Sequence, residues 1–132
     1  METSVLVIDQ WQGNLNEEKA IADPKWKDIE SAIKALDGKR HTMVTIKNKA
    51  NNYLIVGGGK GNKYVVIATF DNQSFYNLVT GLNGKTERLV VGGQIGDYPS
   101  NMCVTLDTTL NVSKTYFENN ELDTSAIWQL DA

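Results

Sequence analysis

Between residues 42 and 91 several β-rich runs follow one another without an internal sequence repeat, and only a few residues separate each run from the next. A parallel sheet needs crossovers of a dozen residues or more, so strands this close in sequence must reverse on one another. Residues 42–47 put Val44 and Ile46 on one face, and further runs follow at 53–56, 63–70 and 74–82. Asn51-Asn52 and Asp71-Asn72 supply turn residues. Asn83-Gly84 carries the strongest two-residue hairpin signal, and it predicts that residues 85–91 return antiparallel to 74–82.

Two helices frame this meander. Val5-Leu6-Val7-Ile8 reads as a strand and is followed by a polar, loop-like stretch. Asp23 is then placed as an N-cap with Pro24 at the first helical position, where its missing N–H costs nothing. Trp26, Ile29, Ile33 and Leu36 form one apolar stripe on a helix running to Gly38. After the short apolar piece Met102-Cys103-Val104, a second helix is expected with Asp107 or Thr108 as cap. It carries Leu110, Lys114 and Phe117 on one face and stops at Asn119-Asn120. The expected class is α+β, an antiparallel β-sheet meander packed by two helices, in a single domain over residues 1–132.

Composition narrows the function. Hydrophobic residues at 41% and charged residues at 22% are globular values. The longest near-apolar run, residues 64–70, is far below the ~20 residues a membrane helix needs. The start Met1-Glu2-Thr3-Ser4 lacks a basic signal region, so a cytoplasmic protein is expected. The net charge of −3 argues against direct nucleic-acid binding, which calls for a basic face. From Asp97 onward Asp97, Asp107, Glu118, Glu121, Asp123 and Asp131 face the single base Lys114, which makes this end acidic and attractive to a partner with a basic groove.

Groups able to do chemistry are few. With one histidine, His41, and one cysteine, Cys103, no His pair or Cys/His metal set can be assembled, so neither metal nor cofactor is expected. His41 reads as a solvated residue at a strand start, and Cys103 as a small buried hydrophobe. Gly57-Gly58-Gly59-Lys60-Gly61 invites a phosphate-loop reading. A strand rather than a helix follows it, and the Gly-Lys-Ser/Thr ending is missing, so a glycine turn is the better assignment. The pairs Gly57-Gly58 and Gly92-Gly93 each end a Val-rich run. They either bend the sheet or clear space for an aromatic such as Trp128 or for a partner's loop.

Val91-Gly92-Gly93-Gln94, Tyr98-Pro99, a helix ending Tyr116-Phe117-Glu118, the acidic turn Glu121-Leu122-Asp123 and the late Trp128 together resemble the first-numbered immunity protein family of bacterial polymorphic toxin systems. The resemblance spans residues 54–128, and where the family usually has Gly this chain has Asn120, a residue that also tolerates the left-handed conformation. It implies a small cytoplasmic α+β protein, not an enzyme, that binds and neutralises a cognate toxin, such as a nucleic-acid deaminase or nuclease, in contact-dependent inhibition. Gly57, Gly58, Gly92, Gly93, Phe117 and Trp128 are then its structural motif. Asp97, Tyr98, Glu118, Glu121 and Asp123 are the expected partner-binding residues, because acids can compete for a toxin's phosphate-binding surface. A small-ligand-binding domain, with an apolar cavity between helix and sheet, and a hydrolase, with perturbed acids in a cleft, are the alternatives.

Overall fold

The computed structural model describes residues 4–81 and 84–131. In chain order it contains β1 (Val5–Ile8), β2 (Trp11–Gln12), β3 (Leu15–Asn16), β4 (Lys19–Ala22), α1 (Trp26–Lys34), β5 (Met43–Lys49), β6 (Asn52–Gly58), β7 (Tyr64–Thr69), β8 (Phe75–Val79), β9 (Thr86–Val91), β10 (Gln94–Pro99), α2 (Leu106–Asn119) and β11 (Ile127–Asp131). The fold is α+β. Seven strands make one antiparallel sheet in the order β11-β8-β7-β6-β5-β1-β4, so β5 to β8 form the expected meander.

Both helices pack on one face of this sheet and on each other. Leu6, Val44, Ile46, Leu54, Val56, Val66 and Leu78 from the strands meet Ile29 and Ile33 of α1 and Val112 and Tyr116 of α2, all essentially fully buried. The α1 stripe is the one the spacing predicts, with Trp26 packed at its margin against Phe117, ring centroids 6.4 Å apart. Tyr116 donates its hydroxyl hydrogen to Asn52 Oδ1 at 2.5 Å inside the core. Burial holds that phenol well above the ordinary tyrosine range.

Several local expectations are corrected. The polar stretch after β1 is no loop, because β2 and β3 form a small hairpin and β4 pairs with β1 along its whole length. That pairing extends to Asp23, whose N–H bonds Ser4 O at 2.8 Å and whose φ of 50° turns the chain out of the strand. The helix therefore starts at Trp26 with Lys25 as its cap residue, and the Asp28 carboxylate accepts the Lys25 N–H at 2.8 Å. It stops at Lys34, short of Gly38. The cap of α2 is Thr105, whose hydroxyl accepts the Thr108 N–H, and Asn120 closes this helix at φ 54° and ψ 43° as the sequence suggests.

The largest correction concerns β9. It does not return along β8; its partner is β10, and the flank of β8 opposite β7 is taken by β11, a strand the sequence reading left out. The proposed Asn83-Gly84 turn involves Asn83, which lies outside the described residues. The two-residue hairpin is instead Gly92-Gly93, with φ 63° and 78°, joining Val91 and Gln94. Both central residues at positive φ match the turn whose twist suits paired strands.

Candidate partner-binding surface

The β9–β10 ribbon lies across one end of the seven-stranded sheet. Following the chain contacts along it, Thr80 N–H bonds Asn101 O at 2.6 Å near the end of β8. Lys63 pairs Glu87 at 2.7 Å at the start of β7, and Val91 and Leu89 rest on Gly57 and Gly58 at the end of β6. The Gly93 N–H reaches Thr42 Oγ1 at 2.9 Å at the start of β5. In an antiparallel sheet all these strand ends coincide, so the ribbon is a crossbar over them.

Asp97 and Tyr98 sit on this crossbar. Asp97 is exposed and faces Arg88 at 3.4 Å, whereas Tyr98 is half-buried opposite Glu87. Burial, then the neighbouring Cys103, pushes the Tyr98 phenol up. Glu118 and Glu121 are exposed at the far end of α2, where Asn48 Nδ2 donates to Asn120 Oδ1 at 2.8 Å. That end of α2 meets β6 at Asn52, and the ribbon meets it at Gly57 and Gly58. Six residue steps of strand separate them, about 20 Å. The expected acidic contacts therefore fall into two groups and make no continuous patch.

Asp123 is committed internally. Its carboxylate accepts from Ser125 Oγ at 2.7 Å, from Ser125 N–H at 2.9 Å and from Thr115 Oγ1 at 3.2 Å, and these bonds hold it below the usual carboxylate range. The Asp123 carbonyl also receives the Trp128 indole N–H at 3.1 Å. Trp128 stands opposite Leu78 on β11 and packs against the core, half-buried.

The glycine pairs have separate tasks. A Cβ on Gly57 would lie 2.5 Å from Val91 Cγ1, so bare backbone is what lets the crossbar sit down there. A Cβ on Gly93 would lie 2.2 Å from the ring of Trp11. The aromatic cleared by glycine is thus Trp11, not Trp128. Sequence reading missed Trp11 together with its anchor Asp9. Asp9 is only 4% exposed, and its carboxylate accepts the Trp11 indole N–H at 2.7 Å, the Thr42 N–H at 2.7 Å, the Met43 N–H at 2.9 Å and the Thr42 hydroxyl. A buried carboxylate is tolerated only when its lone pairs are filled like this. The sequence offered one faint sign, an acid closing an apolar strand two residues before a tryptophan.

The sheet face opposite the helices carries no helix. Cross-strand pairing lines up Ala20, Val7, Thr45, Ile55, Ile67 and Asn77 in one row on that face. Val7, Ile55 and Ile67 are half-buried, and Ala20 is exposed at the β4 edge. This is a shallow apolar stripe framed at one end by the ribbon and by Trp11.

Among the described residues catalytic groups do not converge. His41 Nδ1 lies 2.8 Å from the Asp9 carbonyl, which can only accept, so Nδ1 carries the proton. Cys103 is half-buried, with Sγ 3.7 Å from Pro99 O; burial and then Glu87 push its thiol up, against the pull of Lys63. Among the described residues no group of three His, Cys, Asp or Glu side chains could hold a metal ion, and no helix is long and apolar enough to cross a membrane. The centre of the space between helices and sheet is filled by Ile29, Ile33, Leu54 and Tyr116, and the opening there, of about 460 Å³, is a surface cleft at its margin between α1 and the strands β1 and β4.

Residues 17–130 match the family model for Immunity protein Imm1. No curated protein and no solved structure matches the chain significantly.

Proposed function

The chain belongs to the Imm1 immunity protein family, and from that membership we propose that it binds a cognate bacterial toxin and neutralises it by covering the toxin's active-site or nucleic-acid-binding cleft. The observation that carries this reading is the family match over residues 17–130. The lack of converging catalytic groups and the net charge of −3 are in keeping with an inhibitor that competes for the basic groove of a nucleic-acid deaminase or nuclease. We assign the toxin-facing surface to the helix-free stripe of Val7, Ile55 and Ile67 together with Asp97 and Tyr98 on the adjoining ribbon. Apolar centres rimmed by polar groups are the usual anatomy of such contacts. Cytoplasmic action, in the producing or recipient cell, follows from the same proposal.

Three variants test it with the cognate toxin. Ile55→Lys with Ile67→Lys should abolish binding and protection of cells while leaving the fold intact, because both side chains border solvent. Asp97→Lys with Tyr98→Ala should weaken binding, and Glu118→Lys with Glu121→Lys should not. The opposite ranking would move the interface to the end of α2. A parent protein that neither binds nor protects would end the immunity reading.

A further inference from the structure

Beside the β4 edge of the sheet lies a surface cleft of about 460 Å³, lined by β1 and β4 on one side and by α1 on the other. Asp28, Ser31 and Ala32 of α1 and its C-cap residue Ala35 line it from the helix side. Their spacing of three, four and seven residues puts them on one helix face about 10 Å long. The floor is apolar, built from Ile8, Ile21 and Ala32, and the rim carries Lys19, Arg40 and His41. Its single acid, Asp28, accepts the Lys25 N–H and keeps its negative charge. Among the described residues the ion pairs are Lys34–Glu30, Lys63–Glu87 and Arg88–Asp97, so neither Lys19 nor Arg40 is in one, and the cleft lining carries these two cations against one acid.

Among the described residues the strand bordering the cleft is the outermost of its sheet and pairs only with β1. Such an edge presents a row of free peptide groups, a template for another extended chain. Lys19 and Ile21 pair with Ile8 and Leu6 and share their side of the sheet, the side of the cleft. The alternate residues Ala20 and Ala22 are small, so no bulky side chain shields the edge. A strand added here would send every second side chain toward the cleft, about 6.7 Å apart, which allows one into the apolar floor and one to the cationic rim.

We propose that this cleft and edge receive an extended, acidic segment of the toxin, in which an aliphatic residue and a carboxylate residue stand two positions apart. That the segment belongs to the toxin rests on the immunity reading above; the chemistry of the cleft does not. Charge complementarity selects this occupant in an otherwise acidic protein. The β11 edge differs in offering no base, only the exposed apolar Ile127 and Leu130 beside Asp131. A toxin strand on β4 would continue the sheet whose helix-free row begins at Ala20, so edge and face belong to one contact.

The test uses the whole protein and two synthetic probes, acetyl-Thr-Leu-Thr-Glu-Thr amide and its counterpart with Lys in place of Glu. Backbone amide NMR should show the Glu peptide shifting residues of β4, of the inner face of α1 and around Arg40. The Lys peptide should bind at least tenfold more weakly. Lys19→Glu with Arg40→Glu should reverse that preference, and it should weaken binding of the cognate toxin about tenfold or more without moving the melting temperature. Equal binding of both peptides, or shifts centred on β11, would overturn the proposal. So would self-association of the parent through β11 that the double variant dissolves, since the occupant would then be a second copy. Toxin binding unchanged in the double variant overturns the toxin as occupant. Charge-selective peptide binding by a parent that fails to bind the toxin supports the cleft and counts against the immunity reading instead.

Discussion

Gly93 shows how much one missing Cβ can decide. At φ 78°, and with a Cβ due 2.2 Å from Trp11, it is constrained twice over, by backbone conformation and by the ring above it. Gly93→Ala should cost about 1–3 kcal/mol, and it should shift the Trp11 indole N–H resonance, because the ring must leave its bond to Asp9. An unshifted resonance would mean that the ring does not rest on this turn. Trp128 is half-buried against the core and tied to Asp123 O, so Trp128→Ala should destabilise by about 2–4 kcal/mol in urea unfolding. If that variant unfolds like its parent yet loses the toxin, Trp128 is a binding anchor.

Among the elements, the β9–β10 ribbon is the piece whose placement is least secured by its own sequence. It is a two-stranded unit outside the main sheet, and isolated hairpins are marginal in water. Its seat depends on contacts such as Val91 on Gly57 and Gly93 on Thr42. Gly57→Ala should cost about 1–3 kcal/mol, with amide exchange rising across residues 86–99 before the main sheet opens. Adding Val91→Ala removes the atoms in the way and should recover part of the loss, so a double-mutant cycle should show coupling above about 0.5 kcal/mol. Strict additivity would mean that the ribbon is held elsewhere.

For the whole molecule, titration gives a signature at both ends of the pH scale. Tyr116, Tyr64 and Tyr98 are all pushed up by burial. Their folded pKa values exceed the unfolded value near 10, so their contribution is complete below about pH 10 and is lost as pH rises through the folded values. Tyr116→Phe should flatten the alkaline limb while lowering stability at neutral pH, since Asn52 Oδ1 loses its partner. Asp37, Asp71 and Asp123 are shifted down. In Asp37 burial is outweighed by the N–H groups of Lys39, His41 and Arg40 and by the His41 charge; in Asp71 and Asp123 hydrogen bonds dominate. Their stabilisation is present above about pH 4 and fades as pH falls through the lowered folded values. Melting temperature against pH should therefore be level between about 5 and 9 and fall on both sides. An alkaline limb unchanged by Tyr116→Phe would count against Tyr116 as its main source.

What the sequence determined by itself was local. The meander from β5 to β8, the apolar stripe of Trp26, Ile29 and Ile33 on α1 with Leu36 just past its end, the left-handed stop at Asn120 and the shortage of catalytic groups are all written in neighbouring residues. Each follows from turn chemistry, helical spacing or a residue count. Tertiary structure decided the rest: that β9 takes β10 and leaves β8 to β11, that Trp11 rests on Gly93, and that Asp9 is buried. It also set Asp97 and Glu118 at opposite ends of β6 and opened the cationic cleft beside β4. The physical reason is that a strand's own pattern fits several partners equally well. Which one it takes is settled by apolar surface buried between distant segments and by polar groups that must all be satisfied at once, and neither quantity belongs to any single stretch of chain.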